Sequence, residues 1–427
     1  MDWLPSAPFL AVTCGVLLFV SSLLALILYS TKWHRDPHIH VKCEAGIDAM
    51  VGSLAGLSLG TVAEGNSAEI LRNGEFFDVV MAAIAKAKKS VHFESFLWKQ
   101  GKLGEKLVEA FCERARAGVT VRVLVDAKGC DSIGDGVCEK LVAAGVKFGR
   151  FHPLKLRFIG VFNQRDHRKI LVIDGKTAFV GGHCIVDEWM GEGNDKCHYR
   201  DLSVRLEGPA VHQVQSVFSE NWVGTTGELF AGEAYFPKTE PKGDLKVHVA
   251  ATRPSGSAPA VKILHHMVIC TAKKRLWIQN PYFLPEPYAI DAMGEAVKRG
   301  VDVRVMVPTA EASDMPLVQH AAHRNFGKLL EAGVRIFEFP TTLLHQKVMV
   351  VDGVWSAVGS TNFDDRSFEI NDEITLGIQG KAFAKQLEDL FEEDLKVCKE
   401  VDARQWEKRG TLHKLQDHFW YLWNELL

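Results

Sequence analysis

One block of sequence occurs twice, and that repetition commits the chain to two copies of one folded unit. The first copy is His167-Arg-Lys169-Ile-Leu-Val-Ile-Asp174, followed by Gly181-Gly182-His183-Cys184. The second is His345-Gln-Lys347-Val-Met-Val-Val-Asp352, followed by Gly359-Ser360-Thr-Asn362. Both read H-x-K-x4-D, and both end their Gly-containing turn ten residues past the Asp. A lone match to so loose a pattern is weak evidence. Two copies with matching downstream turns are strong evidence.

The repeat reaches beyond the motif. Ala115-Arg-Ala-Gly118-Val-Thr-Val-Arg-Val-Leu-Val returns as Val297-Lys-Arg-Gly300-Val-Asp-Val-Arg-Val-Met-Val, and Leu141-Val-Ala-Ala-Gly145-Val returns as Leu329-Leu-Glu-Ala-Gly333-Val. The two pairs of glycines stand 182 and 188 residues apart and the histidines 178, which is an internal duplication. In the first copy, helical spacing over Phe76–Lys88, Gly104–Ala117 and Val137–Ala144 alternates with strand signals at Ser90–Trp98, Val119–Asp126 and Val146–Phe151. Alternation of this kind predicts an α/β architecture of two similar lobes, each a mixed β-sheet flanked by helices. The boundaries fall at 1–31 for an N-terminal anchor, 32–65 for a juxtamembrane lead-in, 66–230 for the first lobe, 231–245 for a linker, 246–400 for the second lobe and 401–427 for a terminal helix. The join sits in the Gly-, Thr- and Pro-rich stretch near Gly224–Gly243. Gly52–Gly65 reads as a lead-in packed on the first lobe.

Within each motif, Ile170–Ile173 and Val348–Val351 are apolar, β-branched runs that read as buried strands. Residues two apart on a strand point the same way, so His and Lys of each copy share a face. Each copy then offers half an anion site: an imidazole able to act on phosphorus and an ammonium able to neutralise its oxygens. Two halves together place two imidazoles and two ammoniums around one phosphate.

On these motifs, and on the stretches GNSAEILRNGEFFDVV, NQRDHRKILVIDG, GG-x-x-IVDEWMG, YRDLSVRLEGPAV and GSTNFDDRSFEINDE, the chain resembles the phospholipase D superfamily, and within it the bacterial cardiolipin synthases, from about Gly52 onward. The resemblance implies phospholipase D-like lobes whose two motifs build one active site at their interface. It implies His167 as nucleophile and His345 as acid and base, although symmetry alone does not decide between them. Lys169, Lys347 and Asn362 would hold the non-bridging oxygens, with Ser360 in the same phosphate-binding set, and the carboxylates Asp201 and Glu373 would orient the histidines. Asp174 and Asp352 complete the catalytic motif, but beside Gly175 and Gly353 they read equally as turn-capping carboxylates.

The reaction implied is transfer of a phosphatidyl group between two phosphatidylglycerol molecules through a phosphohistidine, giving cardiolipin and glycerol. Neither metal nor cofactor is called for. Alternatives are a hydrolase of the same chemistry, phospholipase D or nuclease, and a lipid-binding scaffold that has lost catalysis. A formal net charge of −3 gives no support to a nucleic-acid partner, and oligomeric state is not legible. Nine cysteines without a C-x-x-C pair suit a reducing compartment.

The first lobe departs from the pattern at Cys184, where the second has Asn362. A thiol is a weak donor that cannot replace an amide on a phosphate oxygen, and His183 is a candidate to compensate. The group His183, Cys184, Cys197 and His198 lacks the ligand spacing of a structural zinc site. His265, His266, His320 and His323 read as packing or surface residues, and His34, His38 and His40 as a solvated segment.

From Pro8 to Thr31 there is no charged side chain, and Phe9–Tyr29 is long and apolar enough to cross a bilayer as a helix. Asp2, with no Lys or Arg ahead of the run, argues against a cleaved signal peptide. Lys32, Arg35 and Lys42 follow the run and place the catalytic part on the cytoplasmic side of the inner cell membrane, behind a single span. At the other end, Leu412, Leu415, Phe419, Trp423 and Leu426 make one helical stripe over Thr411–Leu427. That helix either packs on the protein's own core or lies among lipid headgroups.

Overall fold

The computed structural model describes residues 12–23, 45–153, 163–254, 259–410 and 417. By compactness the chain divides into Met1–Lys42 and Cys43–Leu427. In the smaller unit, residues 12–23 are helical and expose Val12, Val16, Leu17, Leu18 and Phe19. Among the described residues no helix is long and apolar enough to cross a membrane. The rest of the expected span Phe9–Tyr29, the histidines 34, 38 and 40, and the helix expected over Thr411–Leu427, Asp417 excepted, lie outside the described residues.

The described residues of the larger unit carry fifteen strands: β1 (Ala63–Arg72), β2 (Ser90–Ser95), β3 (Thr120–Asp126), β4 (Lys147–Phe151), β5 (Ile170–Ile173), β6 (Thr177–Gly181), β7 (Leu202–Glu207), β8 (Leu245–Thr252), β9 (Arg275–Gln279), β10 (Asp302–Pro308), β11 (Arg335–Phe339), β12 (Val348–Val351), β13 (Trp355–Gly359), β14 (Glu373–Gln379) and β15 (Lys399–Glu400). The first seven lie in the order β1-β7-β6-β5-β2-β3-β4, and the next seven repeat it as β8-β14-β13-β12-β9-β10-β11. Duplication of sequence is thus duplication of topology. In each half the three strands joined through helices are parallel and the others antiparallel, as short turns require.

Antiparallel pairing of β1 with β8 joins the halves, and β6 and β7 face β13 and β14. Val172, Val204 and Leu206 of one half therefore share an apolar core with Val348, Val358 and Leu376 of the other. Both motif strands, β5 and β12, are buried along their whole length, as their unbroken apolar runs demand.

Helices cover the outer faces. Lys102–Arg116 buries Leu103, Leu107, Val108 and Phe111, the i, i+4, i+5, i+8 stripe of an amphipathic helix. Its first two amides, Lys102 and Leu103, donate to Asp187 at 3.0 and 2.9 Å, so the carboxylate that ends the first motif's downstream turn caps this helix. Two expectations need correction. Residues within Gly52–Gly65 belong to a helix, Ile47–Leu57, and to the start of β1, and the helix packs on Ala260–Thr271 of the second half, not on the first lobe. Its buried face of Ile47, Met50, Val51 and Leu54 spans four-residue spacings that begin before the Gly-rich stretch.

Candidate active site

His167 and Lys169, like His345 and Lys347, do not lie on the strands but in the extended residues just before them. There the two halves pair directly. His167 donates its amide to the Asp372 carbonyl at 2.9 Å, and Asp372 donates to Arg165 at 2.9 Å. Symmetrically, His345 donates to Arg200 at 2.8 Å, and Arg200 to Leu343 at 3.0 Å. Each motif histidine is therefore fixed to the segment that carries the other half's orienting carboxylate.

The side chains cross in the same sense. His167 Nδ1 lies 2.8 Å from Glu373 Oε1, and His345 Nδ1 lies 2.7 Å from Asp201 Oδ2. A carboxylate accepting from Nδ1–H leaves the Nε2 lone pair available. Glu373 is held in turn by a short hydrogen bond from Ser360 Oγ, and Asp201 by the Trp189 indole N–H at 2.9 Å and the Leu202 amide at 2.8 Å. Phe96 presses edge-on to His167 at 4.8 Å between centroids, and Trp189 does so to His345 at 5.1 Å, which fixes both rings. Lys169 and Lys347 donate to the carbonyls of their own histidines at 2.7 and 2.8 Å, and Lys347 Nζ also lies 2.9 Å from His345 Nε2.

All of these groups but the half-buried Phe96 are buried. Burial and the ammoniums of Lys169 and Lys347 hold both imidazoles well below their ordinary value, and His345 also senses His167. Each histidine thus feels both lysines, so the four groups share one site. Burial raises Glu373 to about 7 against the pull of Lys169, and raises Asp201. Lys347 is lowered to about 7, by burial first, and Lys169 adds to the shift. A cluster so stripped of water favours an anion between its ammoniums. Asn362 is buried, and its Oδ1 has no hydrogen-bond partner among the described residues.

Asp174 and Asp352, the last members of the sequence motif, do other work. Asp174 accepts from the amides of Lys88, Lys89 and Ser90 at 3.0, 2.6 and 2.9 Å, and Asp352 from Lys273, Lys274 and Arg275 at 3.0, 2.7 and 3.0 Å. Each ties the start of β2 or β9 to the far end of the motif strand, with its own φ at +53°. Five residues of extended chain put them about 16 Å from the motif lysines. Of the two readings open to the sequence, these hydrogen bonds support the loop-shaping one.

Cys184 stands where Asn362 stands in the other half, packed in an apolar cluster with its thiol raised by burial. His183 does not compensate. Its Nδ1 meets Ser203 Oγ at 2.8 Å, its Nε2 meets the Asn73 carbonyl at 2.9 Å, and its ring stacks on Phe76. Both nitrogens are committed to structure, and burial lowers it to about 4.

Cys197 is exposed, whereas Cys184 is buried, and His198 pairs with Asp195. Among the described residues two other groups could surround a cation. In the first, Glu286 and Glu369 already hold the Lys262 ammonium and Asp365 adjoins Glu286; in the second, His320 and His323 lie on the helix Pro316–Glu331 and Asp417 pairs with Arg409. His265 is a packed residue, bonded to the Val261 carbonyl.

Three contributors had no role assigned from the sequence: Trp189 and Arg168, which stand inside the motif stretches, and Phe96. Arg168, between His167 and Lys169, reaches the carbonyls of Val217 and Thr252 at 3.0 and 3.2 Å and the carboxylates of Glu220 and Asp372 at 3.3 and 3.4 Å. It pins the motif segment to both halves. Its place in the middle position of H-x-K, where the second copy has Gln346, was the available signal.

The family model described as "Cardiolipin synthase, PLD-like domain" matches residues 80–222 and 267–395. The chain is 35% identical over 344 residues to the cardiolipin synthase of Geobacillus kaustophilus, covering 80% of this chain and 68% of that one. It is 33% identical over 358 residues to the major cardiolipin synthase ClsA of Bacillus subtilis, covering 83% and 74%. The crystal structure of phosphatidylserine synthase from Haemophilus influenzae superposes with a TM-score of 0.66 at 18% identity, over 84% of this chain and 95% of that one, which shows a common fold.

Proposed function

We propose a function from one premise, that the chain belongs to the phospholipase D-like family of cardiolipin synthases. The protein is a phosphatidyltransferase that moves a phosphatidyl group from one phosphatidylglycerol to another, forming cardiolipin and releasing glycerol. The observation that carries this reading is the crossed pair of imidazoles, each with its Nδ1 on a carboxylate of the other half and each within the field of both lysines.

The steps below take His167 as nucleophile and His345 as acid and base, the division that the resemblance implies. His167 Nε2 attacks phosphorus while Lys169, Lys347 and Asn362 take the non-bridging oxygens. The bond to glycerol breaks, and the departing alkoxide takes a proton from His345. The hydroxyl of a second phosphatidylglycerol then gives its proton to His345, forms the new O–P bond, and frees His167 as the P–N bond breaks. A phosphodiester replaces a phosphodiester, so no nucleotide is consumed.

One imidazole must be neutral and the other protonated at the same pH. Burial and two ammoniums favour the neutral form of both, which suits the nucleophile. The incoming phosphodiester supplies the missing negative charge and raises the proton affinity of the acid, which takes its proton from solvent.

Residues 9–29 serve as a single membrane span, with the catalytic part on the cytoplasmic side. The apolar side chains exposed along the helix at 12–23 support this placement.

Lipid analysis after expression in cells lacking cardiolipin tests the function. The transferase yields cardiolipin, with free glycerol from purified protein and phosphatidylglycerol in mixed micelles. A hydrolase yields phosphatidic acid alone. Unchanged activity in His345→Ala would remove the catalytic reading altogether.

A further inference from the structure

The duplication provides an internal control for every residue near the site. Beyond Phe96, on the His167 side, lies an open cleft of about 290 Å³. Its described lining carries Lys99, Lys128, Arg165 and Arg366, against one carboxylate, Asp131.

The strand registers identify the matching positions in the other half. Trp98 bridges Ile185 as Phe283 bridges Phe363, so Lys99 corresponds to Leu284. Ser90 pairs with Thr120 as Arg275 pairs with Asp302, which carries Lys128 onto Ala310. Arg165 lies two residues before its histidine, as Leu343 does, and Arg366 lies four past Asn362, as Glu188 does past Cys184. Four cations on one side thus face two leucines, an alanine and a glutamate on the other. Common ancestry and common backbone do not explain that difference.

Arg165 and Arg366 have protein partners, Asp126 at 3.5 Å and Asn163 at 3.1 Å. The exposed side chains of Lys99 and Lys128 make no hydrogen bond or ion pair among the described residues. Burial first, and then the neighbouring Arg165, depress Arg366 below its ordinary value against the pull of Asp364. Asn371, also on this wall, is buried with an Oδ1 that has no partner among the described residues, an acceptor suited to a hydroxyl.

We propose that this cleft is a second phosphate subsite, which takes the phosphodiester of the acceptor lipid while its terminal hydroxyl reaches the phosphorus between His167 and His345. The inference rests on the transferase reading but not on which imidazole attacks. It selects an anionic acceptor such as phosphatidylglycerol over one whose headgroup carries an ammonium, which would meet four like charges. In the step it serves, the acceptor's O–H proton passes to an imidazole, its oxygen bonds phosphorus and the P–N bond breaks.

The test compares the wild type with Lys99→Gln/Lys128→Gln and Lys99→Arg/Lys128→Arg, using phosphatidylglycerol as donor throughout. Loss of both charges should lower kcat/KM for cardiolipin formation about tenfold and leave transfer to a short uncharged alcohol unchanged, with the arginine pair restoring activity. Because the donor micelle is the same, weaker binding to an anionic surface would lower both reactions equally and overturn the subsite, as would no change in either. Soluble glycerophosphoglycerol should compete with the acceptor in the wild type and not in the glutamine variant. Equal competition by inorganic phosphate would show a general anion site and overturn the assignment to a lipid. A wild type that yields only phosphatidic acid would instead remove the transferase reading itself.

Discussion

An imidazole that attacks or protonates at phosphorus needs its ring fixed and its tautomer set, and here a carboxylate from the opposite half does both. Glu373→Gln or Asp201→Asn keeps the size but offers the wrong partner to Nδ1, and either should reduce kcat by about 10³-fold in steady-state assays with little change in thermal stability. The two groups brought to about 7 also set the pH response. Glu373 gains a proton as pH falls through 7 and ceases to orient His167, whereas Lys347 loses one as pH rises through 7 and ceases to hold phosphate. The profile of kcat/KM, which reports the free enzyme, should therefore be a narrow bell centred near pH 7. Glu373→Gln should flatten its acid limb, and a profile still rising above pH 9 would contradict the assignment. The Asn362 and Cys184 pair is equally telling. Asn362→Ala removes a hydrogen bond to a charged oxygen and should cost about 10- to 100-fold in kcat/KM, while Cys184→Ala, which removes a thiol from an apolar cluster, should leave kcat/KM nearly unchanged.

At the level of the element, the short strands β5 and β12 act as rods between two different jobs. One end presents His and Lys to the site, and the other ends in an aspartate that gathers three amides at the start of the neighbouring strand. Asp352→Asn tolerates the same positive φ but loses the charge, so it should destabilise the fold by about 1–3 kcal/mol while kcat persists in the folded fraction. Urea titration would read this as a lowered midpoint at constant slope. A loss of kcat with no change of midpoint would return Asp352 to the catalytic set. Alternating apolar and polar spacing gave the helices and strands of the first half within a few residues, because each element buries one face. The helix Ile47–Leu57 escaped because its partner, Ala260–Thr271, lies more than two hundred residues further along the chain.

For the whole molecule, the expected anchor and the catalytic unit should be separable. Full-length protein should stay with membranes through an alkaline carbonate wash, and a chain lacking residues 1–31 should be released by it yet still form cardiolipin in detergent micelles. Release of the full-length protein would dismiss the span. Spacing and repetition were enough to lead one to expect two histidines and two lysines in one cluster, since H-x-K-x4-D places its polar pair at one end of a strand that must be buried. They also determined the repeated topology, because two similar sequences bury similar faces. They could not determine that Glu373 serves His167 across 206 residues and Asp201 serves His345 across 144, nor that Asp174 and Asp352 face away from the chemistry. Local sequence sets which face of an element is buried, but which buried face meets which is settled only when the two halves close on a shared core and every charge left inside must find its partner there.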